Sequence, residues 1–350
     1  MPCLLCEHRL REHLQSGGGM VNSQTMNDLR VPLAFKPVYK DYPWGGKRLA
    51  ECYNRTGTPT VCAESWEIAA RPDGESVVAS GRFAGRGFMG LVAEFGAALT
   101  GTRAPEPHRF PLLFKLIDAR DRLSVQVHPN NGNAGCTGGE PKTEMWVVLG
   151  CEPGASLYAG LAEGITPESL RAALADGTAA AQLVELPVEP GRALYIPGGL
   201  VHAIGAGCLI YEVQQNSNTT YRLFDWNRVG ADGKSRPLHI EESFKTIDWS
   251  QPVPQLAAPV PLAAEGDNRW FDVCASDFFN VKRLDLSAPL EIAVDGTSFH
   301  ALFVVEGQVA VASGGEQVTL AKGTSALIPA DADSFTLTPE GTASLLVTTL

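Results

Sequence analysis

The 350-residue sequence has no apolar run approaching the roughly 18 residues that a membrane-spanning helix needs, so no membrane partner is expected. It also lacks an excess of basic residues. Lysine and arginine number 28 against 39 aspartates and glutamates, for a net charge of −11. Without a basic stripe to neutralise phosphates, a nucleic-acid partner is not expected either. A small anionic substrate, which needs only a few local cations, stays open. There is no apolar leader: residues 1–30 are polar, include three consecutive glycines at 17–19, and are expected to be a disordered extension. Met20 or Met26 then becomes the expected translation start. The cysteines (Cys3, Cys6, Cys52, Cys62, Cys136, Cys151, Cys208, Cys274) are scattered through a long chain with no secretory signal. They read as free thiols of a reducing cytoplasm. Cys3 and Cys6 with His8 lack the second pair that would complete a metal site.

What the sequence has in quantity is strand signal. Short β-branched and apolar runs at 76–80, 111–118, 123–128, 145–149, 193–197 and 209–214 are separated by Gly, Pro, Asn and Asp. That pattern predicts an all-β sandwich or barrel. One helical interruption stands out. Thr166 is placed to cap it, Pro167 and Glu168 suit its first turn, Leu170, Ala173 and Leu174 form an apolar stripe, and Gly177 ends it. A Pro- and Ala-rich stretch at 251–265 reads as a linker or edge crossing.

The C-terminal segment echoes an earlier one. The run 191–197 (GRALYIP) can be laid on 323–329 (GTSALIP), and 145–150 on 302–307. Two barrels of one kind account for both echoes. The position that matches His202, five after the proline, is Ser334, so the first barrel is expected to hold the chemistry.

Three segments of that first half carry candidate ligands. Alternation over 123–128 puts Ser124, Gln126 and His128 on one strand face. Lys142 and Glu144 share a face just before an apolar run. The segment 191–202 is a glycine-opened strand, an Ile-Pro-Gly-Gly turn and then His202, the shape of the second cupin motif. Two imidazoles and a carboxylate suit a borderline ion such as Zn²⁺, and the Gln126 amide oxygen is a weak fourth ligand. Taken singly, each of these polar residues also fits a solvated strand face or a packed core histidine.

Across residues 33–249 the sequence resembles the type I mannose-6-phosphate isomerases in their shorter bacterial form. The resemblance rests on YPWGG at 42–46, ESWEI at 64–68, FKLIDA at 114–119, LSVQVHP at 123–129 and KTEMW at 142–146. Its most distinctive stretch is YEVQQNSNTTYRLFDWNR at 211–228. The resemblance implies a cupin fold, one Zn²⁺ per chain, and interconversion of mannose 6-phosphate and fructose 6-phosphate in the cytoplasm. It implies Gln126, His128, Glu144 and His202 as metal ligands and Arg222 as the active-site arginine. Unlike the long eukaryotic-type form, the chain has room only for a small helical insert near 161–185. The expected organisation is an extension at 1–30, a catalytic zinc-binding cupin domain at 31–250, and a degenerate cupin-like domain at 251–350.

Several residues speak without the resemblance. Lys115 stands inside an apolar strand, and a buried ammonium must reach an anion, water or a partner. A salt bridge to a carboxylate such as Asp118, or snorkelling from an edge, would satisfy it equally. Arg222 and Lys142 suit a phosphate or a developing oxyanion. Ser124, Lys115, Lys142 and Arg222 are the substrate-binding candidates. Glu212, alternating away from Tyr211 and Val213, is the leading candidate for proton transfer in an enediol-type isomerisation, with Lys142 and Arg222 assisting. His128 and a metal-bound water are its rivals. Trp44, Trp66, Trp146 and Trp226 read as core or rim packing, and nothing selects one to line a sugar pocket. Two other functions compete: a non-catalytic sugar-phosphate-binding cupin, and an isomerase of another sugar phosphate. The sequence does not reveal the oligomeric state.

Overall fold

The computed structural model describes residues 29–229 and 233–350; Cys3, Cys6, His8, the glycine run, Met20 and Met26 lie outside the described residues. Leu29 is fully buried, and Arg30 pairs with Asp331 at 3.2 Å and Asp333 at 2.7 Å. Leu29 and Arg30, expected within the extension, are packed against the fold.

The fold is all-β: two cupin barrels, each of two antiparallel sheets. In the first barrel a six-stranded sheet runs in the order Ala193–Ile196, Glu144–Cys151, Cys208–Gln215, Leu112–Ala119, Glu64–Ile68, Val38–Lys40. Its partner sheet runs Leu183–Pro187, Ser156–Leu161, His202–Ile204, Val125–Val127, Tyr221–Phe224. Between them Trp146, Ile117 and Ile210 pack with Leu157, Ala159 and Ile204. The central strands Glu64–Ile68, Leu112–Ala119 and Cys208–Gln215 are buried on both faces along nearly their whole length. The outer face of the six-stranded sheet is covered by the second barrel, where Tyr211 stacks on Phe303 with ring centroids 4.3 Å apart.

The second barrel joins an eight-stranded sheet to a four-stranded one around Leu284, Leu302, Val309, Leu337 and Leu345. Across the division drawn at residue 250, the strand Leu33–Lys36 pairs with Ser325–Ile328, Leu33 facing Leu327. Chain order alone does not predict that crossing. The stretch read as a linker also holds a strand, Val260–Glu265, paired with Asn268–Ala275. It is an exposed edge, where Pro261 leaves no ladder bond broken on a second neighbour.

The expected helix forms at Pro167–Ala175. Thr166 accepts a bond from the Ser169 amide at 3.2 Å, completing a capping box, and Gly177 follows at φ 70°. It is not the sole helix. Phe88–Phe95 buries Phe88, Leu91, Val92 and Phe95 on one face. Its flanks, Gly87 and Gly96, carry no capping side chain, which is why its ends leave little mark in the sequence.

Candidate metal centre

Glu144 opens the strand Glu144–Cys151 and faces Ile196 on one side and Gln214 on the other. His202 opens His202–Ile204 and faces Gln126 across the partner sheet. His128 follows Val125–Val127, the face being set by the alternation of Gln126 and His128. Closure of the barrel brings these strand ends together. One nitrogen or oxygen from each of His128, Glu144 and His202 lies within 4.8 Å of the others, and all three side chains are buried.

His202 Nδ1 lies 2.8 Å from the Leu200 carbonyl oxygen. A carbonyl only accepts, so Nδ1 carries the proton and Nε2 presents a lone pair. That Nε2 stands 3.3 Å from Glu144 Oε1, and His128 Nε2 stands 3.7 Å from Glu144 Oε2. His202 Nε2, His128 Nδ1 and both Glu144 oxygens are buried without a well-formed hydrogen bond. Lys142 Nζ approaches Glu144 Oε2 at 2.6 Å and His128 Nε2 at 3.0 Å. Burial and the Lys142 charge hold His128 well below the ordinary histidine range, so its imidazole is neutral. Burial alone would raise the Glu144 carboxyl, but the Lys142 ammonium beside it outweighs burial and holds it well below the usual carboxylate range. Two imidazoles and a carboxylate with orphaned atoms form a donor set that fits a divalent metal.

Beside this cluster lies a cavity of about 240 Å³. It is lined by Ser124, Gln126, Lys142, Lys115, Glu212 and Arg222, by Trp44, and also by Tyr42, Glu64, Asn218, Thr220 and Arg236, which were not among the site candidates read from sequence. Lys115 is paired to Glu212 at 3.0 Å and to Glu64 at 3.8 Å. Burial opposes its charge, but Glu212 and Glu64 prevail and raise its pKa. Asp118, the partner considered from sequence, instead binds Arg48, with Nε–Oδ1 at 2.6 Å. Glu212 is fixed on its other oxygen by the Trp146 indole N–H at 2.9 Å, as Glu64 is by Trp66 at 2.7 Å. Of the four tryptophans considered, Trp44 lines the cavity. Its loop can sit there because Gly45 and Gly46 press on Ala63 and Asp118, where any Cβ would collide.

Arg222, which faces Gln126 on the neighbouring strand, reaches Ser124 Oγ through Nε at 3.3 Å and the Pro237 carbonyl through Nη1 at 2.9 Å. Burial and the nearby Arg236 charge lower its pKa. Arg236 is gripped by both oxygens of Asp225, at 2.8 and 2.5 Å. It lies 14 positions after Arg222 in sequence beyond a break in strand pattern, so no alternation tied it to the site.

The family described as phosphomannose isomerase type I, catalytic domain, matches residues 33–147, and the mannose-6-phosphate isomerase cupin domain matches 271–350. Mannose-6-phosphate isomerase ManA of Bacillus subtilis strain 168 is 36% identical over 91% of this chain and 99% of its own. This chain belongs to the type I mannose-6-phosphate isomerases. A mannose-6-phosphate isomerase of Streptococcus mutans is also 36% identical, over 82% of this chain and 88% of its own. The crystal structure of the Bacillus subtilis mannose 6-phosphate isomerase superposes with a TM-score of 0.81 at 29% identity, covering 91% of this chain and 99% of that one. The activity is accordingly that of a mannose-6-phosphate isomerase, and the substrate is a sugar phosphate. No helix among the described residues is long and apolar enough to cross a membrane.

Proposed function

We propose that this isomerase interconverts mannose 6-phosphate and fructose 6-phosphate with one Zn²⁺ held by His128, Glu144 and His202, and by Gln126 as a weaker fourth ligand. The observation that carries the reading is the buried cluster of orphaned His128, Glu144 and His202 atoms beside a cavity that also holds Lys115, Lys142, Glu212 and Arg222. A bound divalent ion supplies Lewis acidity to the sugar's carbonyl and hydroxyl oxygens.

The chain's own groups divide the remaining work. Arg222, with Arg236 beside it, offers guanidinium N–H groups to the phosphate. Lys142, at the metal end, stands ready for charge developing on the sugar oxygens. Glu212 is oriented by Lys115 on one oxygen and the Trp146 indole on the other. Its carboxylate takes the proton from C2 of the aldose as the C1 oxygen gains one, giving a 1,2-enediol. Returning the proton to C1 while the C2 hydroxyl loses its own gives the ketose, with no net change in protons. Trp44 and Tyr42, whose rings lie 5.7 Å apart, form one wall of the cavity.

The test pairs metal analysis with a coupled assay before and after chelation. Turnover of mannose 6-phosphate that falls with zinc content and returns on adding zinc supports the reading. Full turnover after complete removal of metal contradicts it. Glucose 6-phosphate, run in parallel, separates this activity from that of another sugar-phosphate isomerase.

A further inference from the structure

The two barrels correspond residue by residue in their strand registers. Ile196 faces Glu144 in the first, and Ile328 faces His300 in the second; each isoleucine precedes a proline. Lys115 faces Glu212, and Lys282 faces Val347. Two residues further on, Ile117 faces Glu64 and Leu284 faces Trp270. Even the irregularities coincide: the ladder slips between Val148 and Gly150 in one barrel and between Val304 and Glu306 in the other. His300 therefore occupies the place of Glu144, one residue from where the sequence echo put it.

This correspondence says what the second barrel has become. The positions of Glu64, Glu144 and Glu212 are held by Trp270, His300 and Val347, while the lysine is kept as Lys282. Gln126 and His202, which face each other, are replaced by Ala293 and Ser334. The metal set and all three interior acids are gone. The cavity is not: Trp270, Asn280, Lys282, Ile292, His300 and Val347 are among the residues lining a space of about 470 Å³, within the usual span of small-molecule sites.

Its polar groups converge on one kind of ligand. Trp270 Nε1 and His300 Nδ1 are buried with no hydrogen-bond partner. An indole N–H and an ammonium can only donate. Lys282, exposed at the mouth of this space and faced by Asp272 on the neighbouring strand, forms no ion pair among the described residues, and burial together with its charge keeps His300 neutral. The one acid among the lining residues, Glu265, sits on the exposed edge strand. A cation and N–H donors above an apolar wall suit an acidic head on an apolar body.

We propose that the open mouth of the second barrel, beside the edge strand, binds a small organic anion, its carboxylate or phosphate beside Lys282 and its body against Trp270, Ile292 and Val347. The test uses the full-length protein, with calorimetric titration and tryptophan fluorescence. The probes are benzoate, phenyl phosphate and inorganic phosphate, applied to the wild type, Lys282→Met and Trp270→Phe. The expected result is saturable binding of benzoate or phenyl phosphate that weakens about tenfold in Lys282→Met, the effect of losing one charge-assisted contact. The accompanying fluorescence change is lost in Trp270→Phe. Whichever probe binds more tightly identifies the acidic group. Isomerase kcat and KM stay unchanged in Lys282→Met, so the outcome is independent of the metal assignment in the first barrel. Absence of saturable binding by either organic probe, or binding indifferent to Lys282→Met, overturns the proposal. Inorganic phosphate binding as tightly as phenyl phosphate overturns the role of the apolar wall.

Discussion

Lys142 Nζ stands 2.6 Å from Glu144 Oε2, with both side chains buried. Without a metal ion, this ammonium is the nearest positive charge to the carboxylate. Removing one partner of such a pair leaves an uncompensated buried charge, which costs about 3–5 kcal/mol. Lys142→Met is therefore expected to lower the stability of metal-free protein by an amount of that order. Zinc bound at His128, Glu144 and His202 would neutralise Glu144 in its place. Thermal unfolding of wild type and variant, each with and without zinc, checks this: the difference between them shrinks when zinc is present. An equal deficit in both conditions contradicts it.

Glu212 is held by Lys115 on one oxygen and by the Trp146 indole on the other. Glu212→Gln keeps the shape and removes the base. Turnover is expected to fall by about 10²–10⁴-fold with zinc content unchanged. Steady-state kinetics with metal analysis on the same preparation decides it, and near-normal kcat excludes Glu212 as the base.

The strand Leu123–His128 region shows how far sequence could lead. Alternation placed Gln126 and His128 on one face and set Lys142 beside Glu144, since strand periodicity is a local property. Which face turns inward, and that these strand ends meet, depends on barrel closure between residues as distant as His128 and His202. Glu64 and Trp44 join the cavity through pairings and a glycine-tight loop that no periodicity encodes. Arg236 reaches it from a segment without regular pattern, oriented by Asp225. The repeat was legible in GRALYIP and GTSALIP, yet the matching glycines put the second strand one residue out of step. Only the shared bulge fixes His300 opposite Ile328. The crossing of Leu33–Lys36 into the second barrel is likewise a long-range pairing, invisible to local pattern.

Arg222 and Arg236 line one side of the cavity, and each has guanidinium N–H groups beyond those spent on Ser124, Pro237 and Asp225. Arg222→Gln is expected to reduce kcat/KM for mannose 6-phosphate by about tenfold to a hundredfold, the effect of one or two charge-assisted hydrogen bonds. Arg236→Gln should act more on KM than on kcat, because the hydrogen bonds of Arg236 run to Asp225 and not to His128, Glu144 or His202. Inhibition by inorganic phosphate, measured in parallel, should weaken in both variants. Unaltered phosphate inhibition in both contradicts their place at the phosphate.

His300 is pushed down to about 4 by burial, with the Lys282 charge adding and Asp295 opposing. Its folded pKa lies below that of an unfolded histidine, about 6.5. Between those values the unfolded chain binds more protons, so acid favours unfolding. The stability tied to neutral His300 is complete above about pH 6.5 and declines as pH falls toward 4. It amounts to roughly 2 kcal/mol after allowance for residual solvent screening. Urea unfolding of wild type and His300→Leu across that range checks it. The difference in stability between them should change with pH in this window, moving in favour of the variant as acid is added. A constant difference contradicts it.

The central claim is that a divalent ion is bound by His128, Glu144 and His202. Anomalous diffraction from crystals of the zinc-loaded, active enzyme, collected on both sides of the zinc absorption edge, tests it most directly. A single strong anomalous peak lying between His202 Nε2, a His128 ring nitrogen and the Glu144 carboxylate, with Gln126 beside it, is the predicted result. An active enzyme whose anomalous peak lies elsewhere, or which shows none, contradicts the account.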